Sequence, residues 1–439
     1  MKSIFAILIM ILFFFSPQVR AGEHENVELS LSTMILFAMD NNPDVSMALE
    51  RENQMGHFVD EAKSGYYPQI QLDAQGGREF IDPTNGPNTN NLVKSSVTLN
   101  QKIFDGFTTE SEVKRRKELK NSAGLDVVRE KEDLILEVTD FYLDVLRYQR
   151  VKKTTEKFVT EVDEIVQIIA DMYEAGAAGK AMLDYAQSRQ ASAHVDLNEA
   201  NSSLNDSISN LEFLTGELPD FQAVLPNSFN PSKIKKNVYI DSMSEKNTLL
   251  KKSESELTAM RHQLRLEKGE FYPTLEFVMK AEQSHDDGGD TGRFRDLKGT
   301  VNLSYNIFDG FNKRNRVGRV NGQIKELEHR DRKIFKELKR DVNLAYNQTA
   351  ALKESLKTVK YEIRSNRALQ SLNRENFKLG SINVIELIEG EERLNSAYNR
   401  KYELQQELYQ SIYNLLISTA VIEDNFFCKT CDTITQALR

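Results

Sequence analysis

The sequence predicts an α+β membrane protein in which a β-hairpin and a long antiparallel helix pair occur twice. Three observations lead to this fold class. The chain has 439 residues, and no proline lies between Pro87 and Pro219 or after Pro273, so long helices meet no strong breaker. A stretch of period-2 hydrophobicity precedes each helical region. Finally, residues 94–107 (KSSVTLNQKIFDGF) and 298–311 (KGTVNLSYNIFDGF) are closely similar, which indicates an internal repeat.

The repeat divides the chain into five segments. We predict a signal peptide at residues 1–21, a first structural repeat at 22–217 and a second one at 238–421. A Pro- and Asn-rich linker at 218–237 joins the repeats, and a tail at 422–439 follows them. The leader has a basic start, an apolar run and a small-x-small site before its end, which is typical of exported proteins.

Each repeat shows the same order of patterns. A helical segment at about 31–64 precedes a hairpin at about 67–104, and a segment at about 242–270 precedes a hairpin at about 272–308. The hairpin strands alternate apolar and polar residues, and each is near the ~9–11 residues that a tilted strand needs to cross a bilayer. After each IFDGF motif the period changes to 3.6, which predicts a helix of roughly 100 Å and a returning partner helix.

Four strands cannot close a membrane barrel alone. An open strand edge in lipid leaves backbone groups without hydrogen-bond partners, and the smallest bacterial barrels have about eight strands. If the hairpins span a membrane, the sequence therefore predicts an oligomer. Two chains would supply eight strands around a filled interior, whereas three chains would supply twelve around an open lumen.

The composition argues against nucleic-acid binding and against enzymatic chemistry. There are 57 Lys and Arg residues against 66 Asp and Glu residues, a formal net charge of −9, whereas phosphate contacts need clustered cations. The six His residues are scattered without metal-ligand spacing. The sequence also has no nucleophile elbow, phosphate loop or dinucleotide fingerprint. We therefore expect no enzyme, no metal site, no other cofactor and no nucleic-acid partner.

Two cysteines lie close together near the C-terminus. Cys428 and Cys431 are the two cysteines of the chain, and in an exported protein such a pair is expected to form a disulfide bond. A redox role is the alternative, but a redox C-x-x-C pair is expected near a strand-to-helix junction rather than in a tail.

Together these features resemble the TolC-like outer-membrane efflux proteins, the outer-membrane factor family. The signal peptide, the duplicated hairpin, the IFDGF junctions and the glycine-turned helix pairs carry the resemblance, which covers essentially the whole mature chain. It implies a homotrimer in outer-membrane lipid of a Gram-negative cell, with a twelve-stranded β-barrel continued by an α-helical barrel through the periplasm. It also implies a passive duct that docks with a periplasmic adaptor (membrane fusion) protein and an inner-membrane ABC or proton-driven transporter.

The resemblance places a pore constriction at the second helix-turn-helix tip. Glu386 and Glu389 are three residues apart and so share one helix face. In a threefold assembly each would form a ring of carboxylates that attracts cations. The family normally has Asp at these offsets from the tip glycine. The first tip has Met182 at the position of Glu386, so any ring of acids would come from one tip per protomer. Asp184 is expected to add a peripheral charge. The alternative is that these acids lie on ordinary solvated helix faces.

The tip turns themselves are candidate adaptor-docking residues. Gly176 and Gly380 permit the sharp turns that an adaptor would recognise. Leu183 and Leu387 follow these turns and are candidate docking residues as well. The family often has an arginine four residues before the tip glycine. This chain has none at that position, which leaves open how an adaptor is bound.

The strand-to-helix junctions are expected to be structural rather than ligand-binding. Each has an Asp-Gly turn directly before a helix, where Asp is suited to capping. The four residues are Asp105, Gly106, Asp309 and Gly310.

Three functions are compatible with the sequence. Type I protein secretion is favoured, because the tip sequence LGSINVIELIEGEERL resembles that of secretion members and residue 22 is Gly rather than a lipid-anchor Cys. A duct for small-molecule or multidrug efflux is the alternative within the family. A coiled-coil surface or scaffold protein without a channel is the alternative from a different class, but it leaves the duplicated amphipathic hairpins unexplained.

Overall fold

The computed structural model describes residues 27–81, 88–226, 235–285 and 292–419. The predicted signal peptide, the predicted disulfide of Cys428 and Cys431, and the whole predicted C-terminal tail lie outside these residues.

Apart from the short strands β1 and β4, the same order of helices and strands occurs in both halves of the described chain. The first half contains β1 (Val27–Leu29), α1 (Leu31–Asn41), α2 (Pro43–Lys63), β2 (Gln69–Ile81), β3 (Asn88–Phe104), α3 (Thr108–Glu174), α4 (Lys180–Thr215) and β4 (Phe221–Ala223). The second half contains α5 (Lys236–Lys246), α6 (Thr248–Gly269), β5 (Thr274–His285), β6 (Arg293–Ser304), α7 (Asn312–Lys378) and α8 (Val384–Ser418).

The short helical segment before each hairpin is broken into two helices, where the sequence predicted one. Asn42 and Asn247 stand at the breaks, and each caps the helix that follows by accepting backbone N–H groups through its side chain. At the first break Pro43 occupies the first helical position, where its missing N–H costs nothing. An Asn cap competes with continuation of the preceding helix, which explains both breaks.

The long helices form the rod of the molecule. Helices α3 and α7 each contain 67 residues, which corresponds to about 100 Å at 1.5 Å per residue. Each packs along the shorter helix that returns from its tip, α4 and α8 respectively, and α3 also packs along α8. None of the helices in the described ranges has a stretch apolar enough to cross a lipid bilayer.

The two hairpins join into one four-stranded antiparallel sheet with the order β2-β3-β5-β6. The central pairing of β3 with β5 connects the two repeats. In the described part of the protomer, β2 and β6 are therefore open edges.

The strand register separates apolar from polar residues on the two faces of this sheet. Leu72 lies opposite Val97, which lies opposite Ala281, which lies opposite Leu297. Paired residues share a face, so these rows form one apolar face. The adjacent row, from Asp73 through Ser96, is polar. Leu72 and Leu297 are 73 % and 68 % exposed, so none of the residues that the structure describes covers the apolar face.

A buried tyrosine of the long helix α3 forms hydrogen bonds to the end of β1 and to the residue that follows β4. Tyr142 of α3 is fully buried. Its hydroxyl accepts a hydrogen bond from Val224 N–H at 2.8 Å and donates toward the carbonyls of Val224 at 2.6 Å and Leu29 at 2.9 Å. Burial raises the pKa of Tyr142 to about 12, so the hydroxyl remains a donor at neutral pH. The contact holds the parallel β1–β4 pair against the helices.

Replacing Tyr142 with phenylalanine is expected to lower the free energy of unfolding by about 2–4 kcal/mol. The ring still fits, but buried backbone groups of Val224 and Leu29 lose their partner. Thermal unfolding followed by circular dichroism measures the effect. Tyr173→Phe is the control, because Tyr173 is exposed near the tip and its variant should unfold like the wild type. Equal midpoints for the two variants would contradict the fastening role.

Candidate functional site

Both strand-to-helix junctions contain two consecutive residues in the left-handed region. Gly106 and Phe107 have φ of 70° and 66°, and Gly310 and Phe311 have φ of 67° and 66°. The phenylalanines are sterically unfavourable there. Each is held by an edge-to-face ring contact, at 5.4 Å between the centroids of Phe104 and Phe107 and at 5.5 Å in the second junction.

Aspartate side chains start the long helices at these junctions. The Asp105 carboxylate accepts backbone N–H groups from Thr108 at 3.1 Å and Thr109 at 2.9 Å, and Asp309 accepts from Lys313 N–H at 2.9 Å. Burial alone would raise the pKa of Asp105, but hydrogen bonds from Thr109 and Thr108 outweigh it and hold the pKa below its usual value. The geometry is that of a helix cap, and both acids are engaged in it.

The first tip is closed by a glycine in the left-handed conformation. Gly176 has φ of 72°. Ala177 donates its N–H to the carbonyl of Met172 at 2.7 Å, which is the Schellman pattern that satisfies the last carbonyls of a helix. A side chain at Gly176 would meet no other atom within 4 Å, so conformation rather than space favours glycine here.

The second tip repeats this turn and adds a side-chain cap. Gly380 has φ of 71°, and Ser381 donates to the carbonyl of Asn376 at 2.8 Å. Helix α8 then begins at the cap residue Asn383, whose side chain accepts the backbone N–H of Glu386 at 3.0 Å. The two tips therefore share one turn geometry despite different sequences.

The two predicted docking leucines lie in the interior of the tip rather than on its surface. Leu387 is 3 % exposed and belongs to a buried cluster with Val166, Ile169 and Ile388. Leu183 is partly buried against the same cluster. Their side chains therefore hold the four helix ends together, and the turns present the accessible surface.

The predicted constriction acids are accessible to solvent in the protomer. Glu386 and Asp184 are exposed. Glu389 is half-buried and lies 3.5 Å from Arg393, one turn further along α8. The structure thus brings the acids of α8 to one helix face near the tip, without burying them in the protomer.

An arginine bridge above the second tip was not predicted from the sequence. Arg374 of α7 donates to the carboxylates of Glu391 on α8 and Glu161 on α3. Glu391 is buried, and Gln370 next to the bridge donates to the carbonyl of Leu387 at 3.1 Å. One cation thus connects three helices about two turns from the tip.

A cationic cleft of about 600 Å³ lies beside this bridge, between α3, α7 and α8. Arg150, Lys153 and Lys157 line it from α3, and Arg367 lines it from α7 next to Tyr398. Burial is the main cause that lowers the pKa of Lys401, and the charges of Arg150 and nearby cations lower it further. The cleft is suited to carboxylate or phosphate groups. Its residues come from three distant segments, so no local motif marks it.

No group of three or more His, Cys, Asp or Glu side chains within the described ranges is arranged to bind a metal ion.

Comparison with known proteins shows the family of the chain. The family model for outer membrane efflux proteins matches residues 37–217 and again residues 239–419. Outer membrane efflux protein BepC of Brucella suis biovar 1 (strain 1330) is 20 % identical over 298 residues, which are 68 % of this chain and 63 % of that protein. The alignment therefore spans less than two thirds of that relative.

Solved structures share the fold over nearly the whole chain. The CmeC outer membrane channel of Campylobacter jejuni has a TM-score of 0.79 at 15 % identity, and the match covers 93 % of this chain and 89 % of that one. The outer membrane protein VceC of Vibrio cholerae has a TM-score of 0.77 at 13 % identity, with coverage of 89 % and 95 %. Since the family model matches both halves, the chain belongs to the outer membrane efflux protein family, and is therefore an outer-membrane protein that extends into the periplasm and not an enzyme.

Proposed function

We propose that the protein is the trimeric outer-membrane exit duct of a tripartite export system. It would receive cargo from a periplasmic adaptor and an inner-membrane ABC or proton-driven transporter and conduct it passively to the exterior. The observation that carries the proposal is the open sheet with one exposed apolar face, continued by helices of 67 residues. Such a sheet is suited to contact lipid on one face and water on the other.

Strand direction supports closure by three copies. The four strands alternate in direction from β2 to β6, so β6 of one copy and β2 of the next are antiparallel neighbours. Three copies then give a closed ring of twelve strands without an open edge. Particle imaging of the detergent-purified protein tests this. A hollow threefold rod longer than about 100 Å, which is the length of ~67 helical residues, would support the duct. A solid or monomeric rod would instead favour a coiled-coil scaffold protein.

In this duct Glu386 and Glu389 would form the carboxylate rings of the periplasmic entrance, with Asp184 at the periphery. We expect the double variant Glu386→Gln with Glu389→Gln to lower the preference for cations over anions by about tenfold, because each trimer loses six charges at the narrowest point. Reversal potentials of reconstituted channels under a salt gradient measure it. Glu354→Gln is the control, since Glu354 is an exposed acid of α7 remote from the tip. An unchanged reversal potential in the double variant would remove these acids from the constriction.

The cargo favoured by the tip sequence is a secreted protein, with small toxic molecules as the alternative. A deletion strain distinguishes them. Loss of a protein from the culture medium with unchanged drug sensitivity supports type I secretion, whereas raised drug sensitivity with an unchanged set of secreted proteins supports efflux. The turns at Gly176 and Gly380 would face the adaptor. The cationic cleft, which begins about two turns from the second tip and extends away from it, would be a surface for acidic side chains.

A further inference from the structure

The cationic cleft between α3, α7 and α8 carries positive charges that no described acid neutralises. Arg150, Lys153 and Lys157 line the cleft from α3, and Arg367 lines it from α7. Among the residues that the structure describes, none of these four side chains forms an ion pair with a carboxylate. Arg150 donates instead to the neutral amide oxygen of Gln405 at 3.3 Å. These charges are therefore available to a ligand.

The two acids of the cleft are already engaged. Glu161 and Glu391 are the carboxylates among its lining residues, and both accept hydrogen bonds from Arg374. Together with Arg374, the lining has five cationic side chains against two acidic ones. The cleft therefore has a positive potential, which attracts anions from solution.

The cations of α3 form a row along one side of that helix. Arg150, Lys153 and Lys157 are spaced by three and four residues, and residues at these spacings share a helix face. The row is about 10 Å long at 1.5 Å per residue. Lys153 and Lys157 are exposed, so their amines are accessible to a solute. A ligand with two or more anionic groups can contact the whole row, whereas a single carboxylate can contact only part of it.

Aromatic rings of α8 give the cleft an apolar wall. Tyr398 and Tyr402 line it and are stacked, with 6.2 Å between their ring centroids. Arg367 donates to the hydroxyl of Tyr398, and its guanidinium carbon lies 5.8 Å from the centre of that ring. Phe158 and Leu394 complete the apolar part of the lining. Cations beside apolar rings are suited to a ligand that has a ring as well as acidic groups.

The size of the cleft fits a small organic molecule. Its volume is about 600 Å³, which lies within the range of roughly 300–1,000 Å³ that is typical of ligand pockets. Ser371 and Asn395 line it as well, and their neutral polar groups can exchange hydrogen bonds with a ligand.

The cleft lies on the side of α8 that faces away from the proposed constriction. Tyr398 follows Glu386 by twelve residues and Glu389 by nine. At 3.6 residues per turn these separations are rotations of about 120° and 180° around the helix. In the duct proposed above, where the two acids line the pore, the cleft therefore opens on the outer surface, which solutes of the periplasm reach.

We propose that the cleft binds a small organic polyanion, a molecule with two or more phosphate or carboxylate groups on a body that contains a ring. The α3 cations and Arg367 hold the acidic groups by charge-assisted hydrogen bonds, and the wall of Tyr398 and Tyr402 covers the ring. Acidic side chains of a partner protein would use only the cations. The site lies within one copy of the chain, so only its outward orientation rests on the proposed duct.

Fluorescence anisotropy with the full-length protein in detergent tests the site. The probe is pyranine, a pyrene ring with three sulfonate groups. We expect saturable binding at about 50 mM salt, and weaker binding at about 1 M salt because of screening. Lys153→Gln with Lys157→Gln should raise the dissociation constant of the probe at least about tenfold. Tyr402→Leu should raise it about threefold, because the apolar wall becomes smaller.

Lys117→Gln with Lys120→Gln is the matched control. It removes two positive charges from exposed positions of the same helix, more than about 40 Å from Arg150, and should leave the dissociation constant unchanged. Circular dichroism shows whether each variant keeps its helices. Equal weakening in the control and in the variant of Lys153 and Lys157, or no saturable binding to the wild type, would overturn the site.

Competition against bound pyranine identifies the class of ligand. Hexaglutamate and inorganic tripolyphosphate carry several negative charges but no ring, so we expect each to displace pyranine only at concentrations at least about fivefold above those of unlabelled naphthalene trisulfonate. Displacement by hexaglutamate at lower concentrations than by the naphthalene compound would make an acidic protein segment the occupant and overturn the proposal. Light scattering on the same samples separates the two proposals, because a monomer that binds pyranine would overturn the duct and support the cleft.

Discussion

Replacing Gly106 with alanine is expected to lower the free energy of unfolding by about 2–5 kcal/mol. The residue has φ of 70°, where an L side chain costs about 1–2 kcal/mol. An added Cβ would also lie 2.2 Å from the carbonyl oxygen of Gly269 and 3.1 Å from Cβ of Tyr272. The Gly269 carbonyl belongs to the backbone and cannot rotate away as a long side chain could. The end of α6 must therefore move away from the junction, and this overpacking lowers the stability by about a further 1–3 kcal/mol.

The tip glycine provides the control for this prediction. Gly176 has nearly the same φ, 72°, and no atom within 4 Å of an added Cβ. Gly176→Ala should therefore show only the conformational cost of about 1–2 kcal/mol. Thermal unfolding of both variants, followed by the helical circular dichroism signal at one protein concentration, compares them. If the Gly106 variant were no less stable than the Gly176 variant, the contact between α6 and the junction would not contribute to stability.

The second large effect is expected from Arg374→Met. The side chains of Glu391 and Glu161 are only 7 % and 18 % exposed, and Arg374 is the cation that bridges them. Its removal leaves two neighbouring carboxylates without that partner. Breaking a buried pair costs about 3–5 kcal/mol, and partial exposure of the arginine reduces our expectation to about 2–3 kcal/mol. Because the bridge ties α7, α8 and α3 together, the tip should also open more easily.

Two measurements test the bridge. Thermal unfolding gives the loss of stability, and hydrogen exchange of the last turns of α7 and the first turns of α8 reports local opening. Arg393→Met is the control, since Arg393 pairs with Glu389 on the exposed side of α8 and such pairs contribute about 0–0.5 kcal/mol. Adding Glu391→Leu to the Arg374 variant should restore part of the stability by removing the stranded charge. Equal behaviour of the Arg374 and Arg393 variants would argue against the bridge.

Hydrophobic periodicity predicted the helices and strands because it depends only on residues that are close together in the sequence. The change from period 2 to period 3.6 at each IFDGF motif predicted strands followed by long helices, and the structure has β3 followed by α3 and then α4. The breaks at Asn42 and Asn247 were missed, although Pro43 is a recognisable signal at the first. The family resemblance and the outer-membrane location are confirmed by the family match.

The candidate site was predictable only in part. The tip glycines follow from the sequence because a left-handed residue needs glycine wherever it occurs. Burial of Leu387 was not predictable, because an apolar residue near a turn is compatible with docking and with packing alike. The roles of Glu386, Glu389 and Asp184 depend on the assembled threefold axis and stay predictions.

The sequence by itself determined the duplication, the type and length of the main elements, and the family, since each is encoded in local spacing or in residues compared along one chain. Only the tertiary structure decided which helices meet. The Arg374 bridge, the fastening of Val224 and Leu29 by Tyr142, and the contact of Gly106 with Gly269 all join residues distant in the sequence. Their partners follow from how helices pack in space, and the spacing along a single helix does not contain that information.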